Sequence, residues 1–287
     1  MTTTTTITDL GGTVVERDIP GMGLLRFEDF APGQWLTQKG TPAKKSKRRY
    51  SLDDTELDSV SSIVGTLDKP ALVNWAEDHG ARGGAAAQRM GELDGVPEEE
   101  IIDRVRLLGL GASAKRDEGA DRGNAIHAAF ESLARFDMLP KREALPSAWW
   151  PWLQGCAGAW LELSPVPVEI EEMVAHPTLG YAGRPDLVAR VDGALTLVDY
   201  KTNKGKVYDQ AHYQTRLYEM ARVACGLDPV ERIVIVGIDD QGGHQLVECE
   251  ASTEDALCLL HTFRSRKRIN AGMASQRKAL KAGKGTR

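Results

Sequence analysis

The chain has 287 residues, 41% of them hydrophobic and 27% charged, with a formal net charge of −5. That length suits one large domain or a domain with a small appendage, and no uncharged apolar run approaches the ~18 residues needed to span a bilayer, so nothing suggests a membrane protein. The start, Met1-Thr2-Thr3-Thr4-Thr5-Thr6, lacks the basic beginning and apolar core of a signal peptide, and a cytoplasmic address is expected, in a bacterium or a phage-infected host.

Residues 1–50 are polar at the start and punctuated by Pro20-Gly21, Pro32-Gly33 and Thr41-Pro42, with a short apolar stretch at Leu24-Leu25-Arg26-Phe27. A loosely ordered N-terminal extension of strands or loops is expected there. It ends in a basic cluster, Lys44, Lys45, Lys47, Arg48 and Arg49. Residues 51–270 carry regular patterning and are taken as one domain. From Ser59 to about His79, Ile63, Leu67, Leu72, Trp75 and Ala76 recur at helical spacing, with Pro70 dividing the segment. Residues 80–120 are rich in Ala, Gly and charge, with an amphipathic piece from Glu98 to Leu108. Gly123 to Phe136 is a helix with a stripe of Ile126, Ala129, Phe130, Leu133 and Ala134. Ser147 to Leu163 is a second, and its tryptophans Trp149, Trp150, Trp152 and Trp160 read as docking residues, because a base-stacking platform carries interleaved basic side chains.

After Pro167 the period changes. Val168 to Val174, Tyr181 to Val191 and Ala194 to Tyr200 alternate as strands, Tyr208 to Ala224 is helical, Ile233 to Ile238 and Gln245 to Glu250 pair as strands, and Glu254 to Ile269 is a helix. The fold class is α/β (α+β), a central mixed β-sheet flanked by helices. Residues 271–287 are expected to be a basic C-terminal tail: from His261 to Arg287 there are nine Lys or Arg and no acid. Positive charge at both ends of a mildly acidic body suits phosphate binding. The four cysteines, Cys156, Cys225, Cys249 and Cys258, are spread singly and read as free thiols rather than zinc ligands.

Asp192-Gly193 between two strand-like runs marks a two-residue hairpin. If Val191 pairs with Ala194, Asp186 falls opposite Asp199 and Arg184 opposite Lys201, each pair on one face of the sheet. The surrounding residues are apolar on both faces, so the hairpin is central and buried. Two buried carboxylates face to face repel, and either one takes up a proton or the pair holds a cation. Oxygen ligands favour a hard divalent ion, magnesium, manganese or calcium, over zinc. Lys201 projects from the same face as Asp199, where an ammonium would position water or offset charge on a phosphorane-like transition state.

Gly183-Arg184-Pro185-Asp186 followed by Asp199-Tyr200-Lys201 resembles the signature of PD-(D/E)XK nucleases. The flanking elements resemble their RecB-like branch, which includes phage exonucleases and CRISPR-associated spacer-acquisition nucleases. Gly123 to His127 matches that branch's Gly-x-x-x-His, Glu172 best matches its first-strand acid, and Gln214 to Tyr218 its Gln-x-x-x-Tyr; Asp68-Lys69-Pro70-Ala71-Leu72 also looks like the phage members. The resemblance implies a restriction-endonuclease-like core. It implies Asp186 and Asp199 as central magnesium or manganese ligands, with the Tyr200 carbonyl, His127 and Glu172 completing the shell and Lys201 assisting. Gln214 and Tyr218, which share a helix face, would hydrogen-bond to the site or to a phosphate, with Gln210 a rival for the glutamine. Strand alternation sets Glu169 and Glu171 on one face and Glu172 on the other, and the choice among them stays open. The cysteine spacing departs from that of the members with an iron-sulfur cluster, and no phosphate-cradling Gly-x-x-x-x-Gly-Lys-Ser/Thr is present.

The function expected is a metal-dependent DNA exonuclease in phage recombination, replication or repair, with DNA as partner and a homo-oligomer or a recombination protein as further partners. The rivals are an endonuclease of the same fold, a non-catalytic nucleic-acid-binding protein, and a small-molecule phosphodiesterase.

Overall fold

The structure, a computed structural model, describes residues 3–37, 41–67 and 70–284, with side chains of 70, 71 and 281–284 left aside. The N-terminal region is not the loosely ordered extension expected. Strands β1 (Thr3–Ile7), β2 (Thr13–Ile19), β3 (Gly23–Phe30), β4 (Lys47–Leu52) and β5 (Thr55–Ser59) form an antiparallel meander. Val15, Ile19, Leu25, Phe27 and Tyr50 turn inward from it and are buried, and that apolar face orders the segment.

Ser59 accepts from the Ser62 N–H and caps the short helix α1 (Val60–Val64). Helices α2 (Pro70–Arg89), α3 (Glu98–Leu107) and α4 (Ala112–Phe136) follow, so the break near Pro70 falls as read; Asp68 and Lys69 lie outside the described residues. Helix α5 (Trp150–Leu163) buries only Trp152 of its tryptophans. Basic partners for two of them come from elsewhere in the chain: Arg122 lies 4.1 Å from the Trp152 ring and Arg142 5.3 Å from Trp150.

The stretch read as one strand from Val168 to Val174 is two, β6 (Val166–Ile170) and β7 (Val174–His176). Glu171 between them takes φ 54°, which ends the ladder. The stretch from Tyr181 to Val191 also divides, into β8 (Tyr181–Gly183) and β9 (Leu187–Val191), around Arg184-Pro185-Asp186. Proline cannot donate to a ladder, and here the chain crosses from one sheet to the other. Strand β8 runs parallel to β5 and antiparallel to β7, completing a seven-stranded sheet in the order β1-β2-β3-β4-β5-β8-β7.

Strands β9 and β10 (Ala194–Lys201) form the hairpin. Asp192 and Gly193 have φ 52° and 85°, the positive values a type I′ turn requires, and the pairing runs from Val191↔Ala194 to Leu187↔Val198. After α6 (Asp209–Ala224), β11 (Arg232–Ile238) adds parallel to β10 and β12 (His244–Glu248) antiparallel to β11. The mixed order is β12-β11-β10-β9-β6, with β10 central. One core joins Val188, Leu195 and Leu197 to Leu217 and Tyr218 of α6 and to the N-terminal meander. The other joins Leu187, Val198 and Tyr200 to Ile126 and Phe130 of α4 and to Trp152 and Cys156 of α5. Helices therefore cover both faces of the strand that carries Asp199 and Lys201. The last helix, α7 (Thr253–Lys284), outruns its expected end at Ile269; residues 266–280, expected in part as a tail, are helical and exposed on every side.

Candidate active site

The site lies where β9 gives way to the Arg184-Pro185-Asp186 link. Asp186 stands one residue beyond the last ladder pair, so it does not meet Asp199 as a ladder partner. Its Oδ2 accepts the Tyr200 N–H at 2.8 Å, and its Oδ1 lies 3.3 Å from His127 Nδ1. Arg184 likewise is not opposite Lys201; it pairs at 2.6 Å with Glu171. His127 arrives from α4 on the helix face that carries Phe130 and Ile126, and Phe130 stacks on the Tyr200 ring at 3.5 Å between centroids.

His127, Glu171 and Asp186 each offer a donor atom, and these atoms all lie within 4.8 Å of one another. The first-strand acid of this group is Glu171, not Glu172. The positive φ at Glu171, just past the end of β6, takes it off the face that alternation would have it share with Glu169. Glu172 accepts from Thr3 Oγ1 at 2.9 Å and lies 3.5 Å from Arg17, beneath the N-terminal sheet. Glu169 is bound to buried Arg222 at 2.6 Å. No feature of the sequence signals a left-handed glutamate; the one available sign is Arg184 inside the Gly-Arg-Pro-Asp motif, which needs an acid nearby.

Asp199 is 1% exposed; its Oδ2 pairs with Lys201, whose side chain is 19% exposed, and its Oδ1 has no hydrogen-bond partner among the described residues. On the neighbouring α6, Gln214 Nε2 donates to the Tyr218 hydroxyl at 2.8 Å, and Tyr218 is buried. Gly183 makes room for it: a Cβ there would stand 2.4 Å from the Tyr218 ring and 3.0 Å from Val60. Gly123 has no such need, since a Cβ would lie 3.4 Å from Thr202 Oγ1, at ordinary contact.

Charge and burial oppose each other across this cluster. Burial pulls the His127 pKa down, but the Asp186 carboxylate overrides it and raises it to about 9. Burial, reinforced by Asp186, lifts Glu171 to about 7 against the pull of Arg184. Burial lifts Asp199 to about 6 despite Lys201. Asp186 alone among the acids is lowered, because His127, Lys201 and the Tyr200 N–H outweigh its burial. Lys201 is raised by Asp199 and Asp186 against its own burial. Three clustered acids, two of them with pKa raised by burial, call for a further positive charge. The unpartnered Oδ1 of Asp199 and the convergent donors of His127, Glu171 and Asp186 fit a divalent cation in chemistry and in placement.

These residues define a carboxylate-rich site beside a buried lysine. Residues 141–271 match the model of the PD-(D/E)XK nuclease superfamily. Glu171, Arg184, Asp186, Asp199, Lys201, Gln214 and Tyr218 fall inside the match, and His127 and Phe130 precede it. No curated protein sequence matches the chain. Among solved structures, the chain is similar to the alkaline exonuclease LHK-Exo from Laribacter hongkongensis at 17% identity and a TM-score of 0.30, covering 45% of this chain and 70% of that one. A second structure, of LHK-Exo in complex with dAMP, is similar at 15% identity and a TM-score of 0.32, covering 57% and 93%. No helix among the described residues is long and apolar enough to cross a membrane.

Proposed function

We propose that the chain hydrolyses phosphodiester bonds of DNA, working from ends as an exonuclease in recombination, replication or repair. The convergence of His127, Glu171 and Asp186 beside the buried Asp199–Lys201 pair is the observation that supports this reading. Asp186, Asp199, Glu171, His127 and the Tyr200 carbonyl would hold magnesium or manganese. A bound ion of that kind acidifies water and draws charge off a phosphoryl oxygen.

The protein's own part is positioning and charge. His127 and the Tyr200 N–H hold the Asp186 carboxylate ionised and fixed in direction. Lys201, kept protonated by two carboxylates, places an ammonium where a phosphate oxygen gains charge. Tyr218, held by Gln214 and seated against Gly183, sets the wall on the α6 side and offers a hydroxyl to a phosphate. Phe130, stacked on Tyr200, keeps water out from the α4 side.

The test is an assay on end-labelled linear DNA with magnesium or manganese, with Lys201→Ala as control. Progressive loss of terminal nucleotides, abolished in the variant, is the expected result. Retained activity in Lys201→Ala would remove the proposed site, and cutting of a covalently closed circle would move the assignment from exonuclease to endonuclease.

A further inference from the structure

The basic cluster before β4 plays no part in the site as described, yet it ends at the site's door. Phe27 on β3 carries two guanidinium groups over its ring, Arg48 of β4 at 5.7 Å and Arg184 at 5.8 Å. The register pairs Phe27 with Tyr50 and Asp29 with Arg48, so all four project from one face of the sheet. Phe27 and Tyr50 are buried, with ring centroids 4.6 Å apart, and form a fixed floor. Arg184 in turn holds Glu171, a member of the donor cluster. Glu171, Arg184, Phe27 and Arg48 therefore make one connected path from the carboxylates out onto the N-terminal sheet.

Arg48 is built to receive something more. Its side chain is 66% exposed and its ion-pair partner, Asp29 at 3.2 Å, is itself 42% exposed, so the pair contributes little and exchanges readily. Its neighbours Lys47 and Arg49 are engaged with Glu28 on the opposite face, which leaves Arg48 as the outward cation on the site's side. A guanidinium seated on an aromatic ring keeps its planar fork free for two parallel hydrogen bonds, the geometry a phosphate accepts.

We propose that Arg48 and Arg184, seated on Phe27, grip a backbone phosphate of the nucleic-acid strand next to the one that is cut. The N-terminal sheet, which lies outside the matched residues 141–271, is then part of the substrate track. The inference rests on the nuclease reading above and adds the place where the strand leaves the site.

The experiment measures binding of a labelled single-stranded DNA oligonucleotide to the full chain in chelator, over a range of salt, alongside the linear-DNA assay. Arg48→Ala should weaken binding about five- to tenfold at 0.1 M salt and reduce the salt slope by about one, equally for unrelated sequences. Arg48→Glu should weaken it further, and both should raise KM for DNA more than they lower kcat. Arg232→Ala, which removes a pair with Glu248 at the far end of β11, should leave affinity and slope at wild-type values. Melting curves confirm that each variant is folded. Wild-type affinity and slope in both Arg48 variants, with wild-type enzyme still digesting DNA, would overturn this inference and spare the nuclease reading. A wild-type chain that neither binds nor cuts DNA would overturn both.

Discussion

At Glu171 the backbone leaves the strand conformation. With φ 54° the chain turns out of β6, and Glu171 lies beside Asp186 while Glu169 pairs with Arg222 and Glu172 with Arg17. Glu171→Gln should lower nuclease activity tenfold or more, whereas Glu172→Gln should stay within about twofold; comparing kcat/KM for the two on one DNA substrate checks the assignment. The titration of the same cluster gives a second expectation. Asp199 at about 6 against an ordinary 3.8, Glu171 at about 7 against 4.5, and His127 at about 9 against 6.5 all bind protons more tightly folded than unfolded. Each thus adds stability below its ordinary value and loses it as pH climbs through the folded value. Asp186, lowered, behaves oppositely, adding stability above the ordinary carboxylate range and losing it in acid. The metal-free protein should therefore melt at falling temperature between about pH 6 and about pH 9. Added magnesium should flatten that slope, and a Tm in chelator that rises with pH would contradict the picture.

The elements differ in how openly the sequence declares them. Asp192-Gly193 dictates a hairpin because both residues accept positive φ, and the register follows by counting, which is why Asp199 and Lys201 could be placed. The splitting of β8 from β9, and of β6 from β7, could not be read in this way. Both halves are apolar and alternate, and the pattern says nothing of which sheet each joins. Nor did polar Thr3–Ile7 or the charged Lys47–Leu52 announce a sheet, since the first has no buried residue and the second turns only Tyr50 and Leu52 to the core. Gly183 shows what the Gly-Arg-Pro-Asp motif requires of its first residue. Gly183→Ala should push the Tyr218 ring aside and cost about 1–3 kcal/mol of overpacking strain. Unfolding in urea would read the loss as a lower midpoint, and kcat should fall with it as the Gln214–Tyr218 pair is displaced.

On the scale of the molecule, the N-terminal strands and the matched segment 141–271 share one core. Ile19, Leu25 and Phe27 pack in the same cluster as Met173, Tyr181 and Leu217. Neither part has an apolar face of its own to spare, so the two should melt together in a single transition. A chain lacking residues 1–52 should be recovered insoluble or unfolded, because it would expose Met173, Val174 and Tyr181, all buried here. A soluble, sharply melting truncation would show that the meander is an accessory after all. Near residue 50 composition changes, but the buried cluster runs on across it.

The parallel pairing of β5 with β8 joins Asp58 to Tyr181, strands separated by four long helices. A ribosome delivers the first of these well before the second. The meander emerges early and can close its own hairpins, but its inward face must wait, uncovered, until β7, β8 and α6 have been synthesised. Non-local closure of this kind is slow, and during that interval the nascent chain is exposed to self-association and to capture by chaperones. Slowing or stalling translation between residues 60 and 170 should therefore reduce the yield of soluble protein, while leaving the finished fold as stable as before.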